Sequence, residues 1–140
     1  MASNKKPRKP GRTARANQRL NPIERALVRA NWRKAEAELL AMHEGDDMTA
    51  LLRGFWVNLA DAHTIAETLA DPEPEKVLDE AMGMVNRMCE NGCRLEVGCA
   101  EFLAWAGSLA IEILLGSPMR DIEQATMHRA RVIAGIEVAA

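Results

Sequence analysis

The chain has little aromatic mass. It contains three Trp, two Phe and no Tyr in 140 residues. A core of this size must therefore be built from aliphatic side chains, and alanine, leucine and methionine favour helix over strand. No segment alternates apolar and polar residues over strand length, which excludes a sheet protein. No long apolar run occurs: the richest stretch, Phe102 to Leu115, contains Glu112 and is too short to span a bilayer. The basic start is not followed by an apolar stretch of secretory type. Only three cysteines are present, Cys89, Cys93 and Cys99. An odd number without a signal sequence excludes a disulfide framework and points to a reduced, cytoplasmic setting. Their x3 and x5 spacings do not match a zinc motif, and His128 is the one distant candidate ligand, so they are expected as buried apolar thiols and no metal is expected.

Catalytic signatures are also missing. There is no phosphate-cradling glycine loop, no H-E-x-x-H and no G-x-S-x-G. His43, His63 and His128 are isolated. His63 lies between Asp61 and Glu67, which suits a paired surface histidine more than a general base. Glu101 and Glu112 share a helix face in an apolar segment and are expected to be partly buried, paired with Arg87, Arg120 or Arg131, or to mark a polar edge. No Glu-x-x-His pair accompanies them, so a di-metal bundle is excluded. Neither an enzyme nor a cofactor is expected.

What is present is a divided charge. Residues 1–34 carry eleven Lys or Arg against one acid, Glu24, a formal +10; residues 35–140 carry seven against nineteen Asp or Glu, a formal −12. With 48% apolar and 27% charged residues the chain is not wholly disordered. Residues 1–19 nevertheless hold Pro7, Pro10 and Gly11 and no large apolar side chain after Met1. That composition predicts a flexible, extended arm, followed by a helical domain over 20–140.

Five amphipathic helices are expected in the domain. Asn21 caps the first, Pro22 opens it, Glu24 completes a capping box, and Gly45 ends it. Val28, Trp32, Ala35, Leu39 and Met42 form its stripe. Asp46 or Asp47 caps the second, where Met48, Leu52, Phe55, Leu59, Ala62, Ala66 and Leu69 keep the same spacing and Leu51, Trp56 and Ile65 widen it. The third runs from about Glu73 to Glu90, with Leu78, Ala81, Met82, Val85, Met88 and Cys89 inward, and Asn91-Gly92 stops it. The fourth runs from about Leu95 to Leu115 and is expected to be the most buried. Its stripe is Leu95, Cys99, Phe102, Ala106, Leu109 and Ile113, broadened by Leu103, Ala110 and Leu114. Ser117 caps the fifth, with Met119, Ile122, Ala125, Val132, Ile133 and Ile136 inward. The architecture is all-α, a bundle or a compact array. Surplus apolar residues on the second and fourth helices predict a homodimer.

The candidate functional residues are basic. Lys5, Lys6, Arg8, Lys9, Arg12, Arg15 and Arg19 are spaced along the arm, where each contact with a phosphate would release condensed counterions. Arg25, Arg29 and Arg33 lie four apart on the first helix, with Lys34 beside them, and form a ribbon that could follow a phosphate backbone or pair with acids of the second or third helix. Trp32 adjoins the ribbon as a possible base-stacking platform, although its place in the apolar stripe makes it a core residue first. A helix-turn-helix at Asn91-Gly92 fails, because the segment after it is too apolar and acidic to read bases. The leading expectation is a nucleic-acid-binding accessory protein. The alternative is an interaction module whose acidic body is the working surface.

The start Lys5-Lys6-Pro7-Arg8-Lys9-Pro10, followed by an all-helical body, resembles small uncharacterised proteins of proteobacterial phages and prophages. The resemblance is most specific over those six residues. It implies an accessory phage protein acting inside a bacterial cell, of a kind that binds DNA, binds RNA or inhibits a host protein. The arm yields a direct expectation: limited trypsin digestion should cut first within residues 1–19 and leave 20–140 intact. A first cut inside the helical body would refute the division.

Overall fold

The computed structural model describes residues 18–139, with side chains described as far as Gly135. The expected arm at Lys5, Lys6, Arg8, Lys9, Arg12 and Arg15 lies outside the described residues. Five helices follow in order among those described: α1 (Pro22–Leu40), α2 (Thr49–Thr68), α3 (Pro72–Glu90), α4 (Ala100–Gly116) and α5 (Met119–Ala139).

Local chemistry sets most of the ends. The Asn21 side chain accepts from the Glu24 amide at 2.9 Å and donates to the Glu24 carboxylate at 2.6 Å. Helix α1 then stops at Leu40, short of Gly45, which is a turn residue with φ +86. The chain ahead of α2 is held by Asp47, whose carboxylate accepts from both the amide and the hydroxyl of Thr49. Ser117 caps the end of α4 rather than the start of α5: its amide and hydroxyl both donate back, to the Leu114 and Ile113 carbonyls.

The largest departure from the periodicity is the start of α4. Residues 91–99 are not helical, because Gly92 (φ +84), Cys93 (φ +58) and Gly98 (φ +76) all take left-handed conformations that a helix cannot contain. This segment instead pairs antiparallel with the α1–α2 connection. Met48 donates to the Cys93 carbonyl at 2.8 Å, Leu95 to Asp46 at 3.0 Å and Gly45 to Leu95 at 2.9 Å. Met48 and Leu95 are buried beneath the pairing.

The hub is α2 rather than α4. Helix α2 packs on α3, α4 and α5, while α1 lies mainly on α4 and α5 mainly on α2. Six of the seven expected stripe positions on α2 are buried; Leu69, beyond the helix end, is 66% exposed. Ala60, Ala62 and Ala66 let neighbouring helices approach closely. On α4 the stripe is rotated. Leu103, Ala104, Ala106, Gly107, Ala110, Ile111 and Leu115 face inward, while Phe102, Leu109 and Ile113 are only partly covered and Trp105 is 56% exposed. On α5, Ala125 is fully buried, but Val132 and Ile133 remain exposed.

Trp32 fastens α1 to this body. Its ring is 8% exposed and meets Phe55 edge-on, with centroids 5.2 Å apart and planes at 73°. Its indole N–H donates to Ser108 Oγ at 2.9 Å, and that hydroxyl donates to Glu36 at 2.9 Å. Burial of a Trp side chain contributes on the order of 4–6 kcal/mol by area, an upper figure. The ring fits only because residue 107 is glycine: a Cβ there would overlap three atoms of the six-membered ring.

This makes the sign of one substitution informative. Gly→Ala inside a helix ordinarily stabilises by about 0.5–1 kcal/mol, and Gly83→Ala on α3, with open space around it, should do so. Gly107→Ala should instead cost about 1–3 kcal/mol by overpacking a rigid ring. Urea denaturation of both variants tests this, and a stabilised Gly107→Ala would show that the indole moves freely.

Candidate nucleic-acid interface

The α1 ribbon does not present three equivalent guanidinium groups. Arg19 is exposed just before the Asn21 cap. The neighbouring Gln18 carbonyl accepts from Met119 at 2.8 Å, so the described chain begins against the α4–α5 corner. Arg25 is half-buried beside the core, with a buried Nε that has no acceptor. Arg29 reaches across to α4 and meets both carboxylate oxygens of Glu112 at 3.4 Å. Arg33 and Lys34 point to solvent, and among the described residues Arg33 makes no ion pair. Residues four apart advance about 40° around a helix, so the ribbon winds from the α1–α4 seam at Arg25 to open water at Arg33.

Sequence spacing placed the counter-charge on the second or third helix, whereas the structure finds it on α4. The Arg29–Glu112 pair is open, with side chains 40% and 61% exposed. Pairs of this kind contribute about 0–1 kcal/mol, so an incoming phosphate could displace the carboxylate at little cost. Glu112 and Glu101 do share a face, but it is the outer face, and neither is buried. Arg87 pairs with Glu96 at 2.9 Å instead, and Arg120 with Asp121 at 3.6 Å. Trp32 is committed to the core, with only 8% of its surface exposed.

The sequence did not reveal the one acid buried among the described residues. Asp61 is 6% exposed and accepts from Arg129 Nε at 2.9 Å, joining α2 to α5. Nor did it reveal the open groove of about 370 Å³ between α1 and α2, floored by Trp32 and Phe55 and edged by Asn31 and Asn58. That groove exists because α1 leans on α4 and stands away from α2. Outside it, Ile23 and Leu27 are 74% and 60% exposed on the face of α1 opposite Trp32.

The remaining candidate chemistry is dispersed. His63 sits 4.0 Å from Glu67 and 3.9 Å from Asp79, beyond hydrogen-bonding reach. Cys99 is buried, with its Sγ donating to Glu96 at 3.9 Å, but Cys89 is exposed and Cys93 only half-buried, against the expectation of three buried thiols. Among the described residues no group of three or more His, Cys, Asp or Glu is placed to hold a metal ion. No described helix is long and apolar enough to cross a membrane. No protein-family model, curated protein or solved structure matches the chain.

Two exposed carboxylates are held below their ordinary values. The hydroxyl and amide of Thr49 lower Asp47 from 3.8, and the Arg87 guanidinium lowers Glu96 from 4.5. A depressed folded-state pKa means that the unfolded chain binds protons more readily. The stabilisation from both groups is therefore complete above the ordinary values and disappears as pH falls through the folded ones. Both groups flank the loop pairing of residues 45–48 with 93–95. Thermal unfolding should show stability falling below about pH 5, and Asp47→Asn with Glu96→Gln should flatten that fall. An unchanged acid limb in the double variant would place the sensitivity elsewhere.

Proposed function

We propose that the chain is a non-enzymatic accessory or regulatory protein of the cytoplasm that binds DNA or RNA with low sequence specificity. Binding runs through the basic N-terminal arm, Lys5, Lys6, Arg8, Lys9, Arg12, Arg15 and Arg19, and continues onto Arg25, Arg29 and Arg33 of α1. One observation carries this reading: all but seven of the 18 Lys and Arg residues fall in the first 34 positions, ahead of a body of opposite charge. The exposure of Arg19, Arg33 and Lys34 supports it, because these groups extend the arm's charge onto a rigid surface. A Lys/Arg arm without Asn or Gln at set positions reads charge rather than base edges.

A second reading is supported by the apolar surface. The α1–α2 groove, together with exposed Ile23 and Leu27 on the opposite face of α1 and exposed Trp105 on α4, suits a protein–protein module, such as an inhibitor of a host protein. The homodimer expected from surplus apolar residues on the second and fourth helices would draw on Trp105 of α4, which is 56% exposed. Neither membrane nor cofactor has a part in either reading.

Salt separates the two. Seven arm contacts give a slope of about −6 for the logarithm of affinity against the logarithm of salt on duplex DNA. Deleting residues 2–19 should abolish most binding and leave the helical circular dichroism unchanged. Glu112→Gln should tighten the full-length complex by freeing Arg29. Absence of binding by the full-length protein at low salt would overturn the nucleic-acid reading and favour the protein–protein module.

A further inference from the structure

A second groove, of about 830 Å³, lies where α5 diverges from α2 near the end of α3. Its walls include Trp56 and Val57 of α2, Ile133 of α5, and two sulfurs, those of Cys89 and Cys93. Cys89 occupies the last turn of α3 and Cys93 follows its stop. Gly92 and Cys93 both turn left-handed, and the Cys93 amide donates to the Met88 carbonyl at 2.8 Å. That bond folds Cys93 back over the turn that carries Cys89. Both cysteines line this open groove, with the Cys93 thiol beside that of Cys89, while Cys99 is buried with its Sγ toward Glu96.

We propose that Cys89 and Cys93 are a thiol–disulfide site that takes small disulfides as substrates and closes into an intramolecular bridge. Cys93 takes the left-handed backbone at φ +58 that turns the chain back after Gly92, and it is half-buried beside the groove. The step balances without any metal. The thiolate of one cysteine attacks a sulfur of the small disulfide, whose S–S bond breaks and releases one thiolate. The second cysteine then attacks the protein sulfur of the mixed disulfide and expels the other small thiol. Two protein thiols lose two protons and two electrons, and the small disulfide is reduced to two thiols. Although Cys89 is exposed, partial desolvation of its sulfur by the groove wall, and after that the Cys93 thiol beside it, raise its pKa. The Cys89 thiolate is therefore scarce at neutral pH.

The bridge would act on the loop pairing. The Cys93 carbonyl accepts from Met48, and its neighbour Arg94 pairs with Asp47. Oxidation would pin this segment to the end of α3 and brace the start of α2.

Reduced full-length protein, equilibrated with an excess of oxidised glutathione, tests the proposal by intact mass and peptide mapping. The expected product loses two thiols to a Cys89–Cys93 bridge, carries no retained glutathione and keeps Cys99 reduced. Cys99→Ser should give the same bridge, and Cys89→Ser and Cys93→Ser should give none. Persistent glutathione adducts on the parent protein, a bridge involving Cys99, disulfide-linked dimers, or three thiols still free at equilibrium would each overturn it.

Discussion

The seat of Trp32 against Gly107 is the contact on which the arrangement of the basic surface depends. Helix α1 has one principal neighbour, α4, and the indole is its main anchor there. The ring meets Phe55 of the hub helix at its edge and is steered by its N–H to Ser108. Because the ring sinks into a position without a Cβ, α1 lies close to α4 at that point and stands off α2. Two consequences follow from that one fit: Arg29 comes within reach of Glu112, and an open groove is left between α1 and α2.

Charge and packing are arranged on different principles. The only buried acid–base pair described, Asp61–Arg129, joins α5 to the hub, and losing one partner would strand a charge in the interior. The other ion pairs lie on the surface and contribute little individually. Apart from half-buried Arg25, the basic residues of α1 are therefore not consumed by structure. They flank a seam, and the weakness of the one contact at Arg29 leaves them available to a polyanion.

Much of the fold was legible because it is written in short-range spacing. The 4-3 stripe from Met48 to Ala66 marked buried positions correctly, since a helix with a distinct polar face has one way to turn. Asn21, Pro22 and Glu24 marked the α1 start through contacts three residues apart. The stripe on α4 was only partly right for the converse reason: Leu103, Ala106 and Ala110 are buried as expected, while Phe102, Leu109 and Ile113 are only partly covered. That helix is apolar on nearly every side, so periodicity could not orient it, and Trp105 ended exposed while Gly107 went inward. Gly98 and Gly92 were visible signals that residues 91–99 break the helical pattern, but the left-handed turn at Cys93 has no sequence mark.

The sequence by itself determined the all-helical class, the approximate limits of most helices, the absence of recognisable catalytic motifs and the division of charge. Each of these is a sum over residues or a contact within one helical turn. The tertiary structure alone decided that Arg29 meets Glu112 and that Asp61 meets Arg129, partners 83 and 68 positions apart. It also decided that Gly107 receives a tryptophan and that two cysteines share the rim of a groove. Such pairings depend on how helices cross and how closely they approach. Those quantities come from the shapes of many side chains packed at once, and no local spacing encodes them.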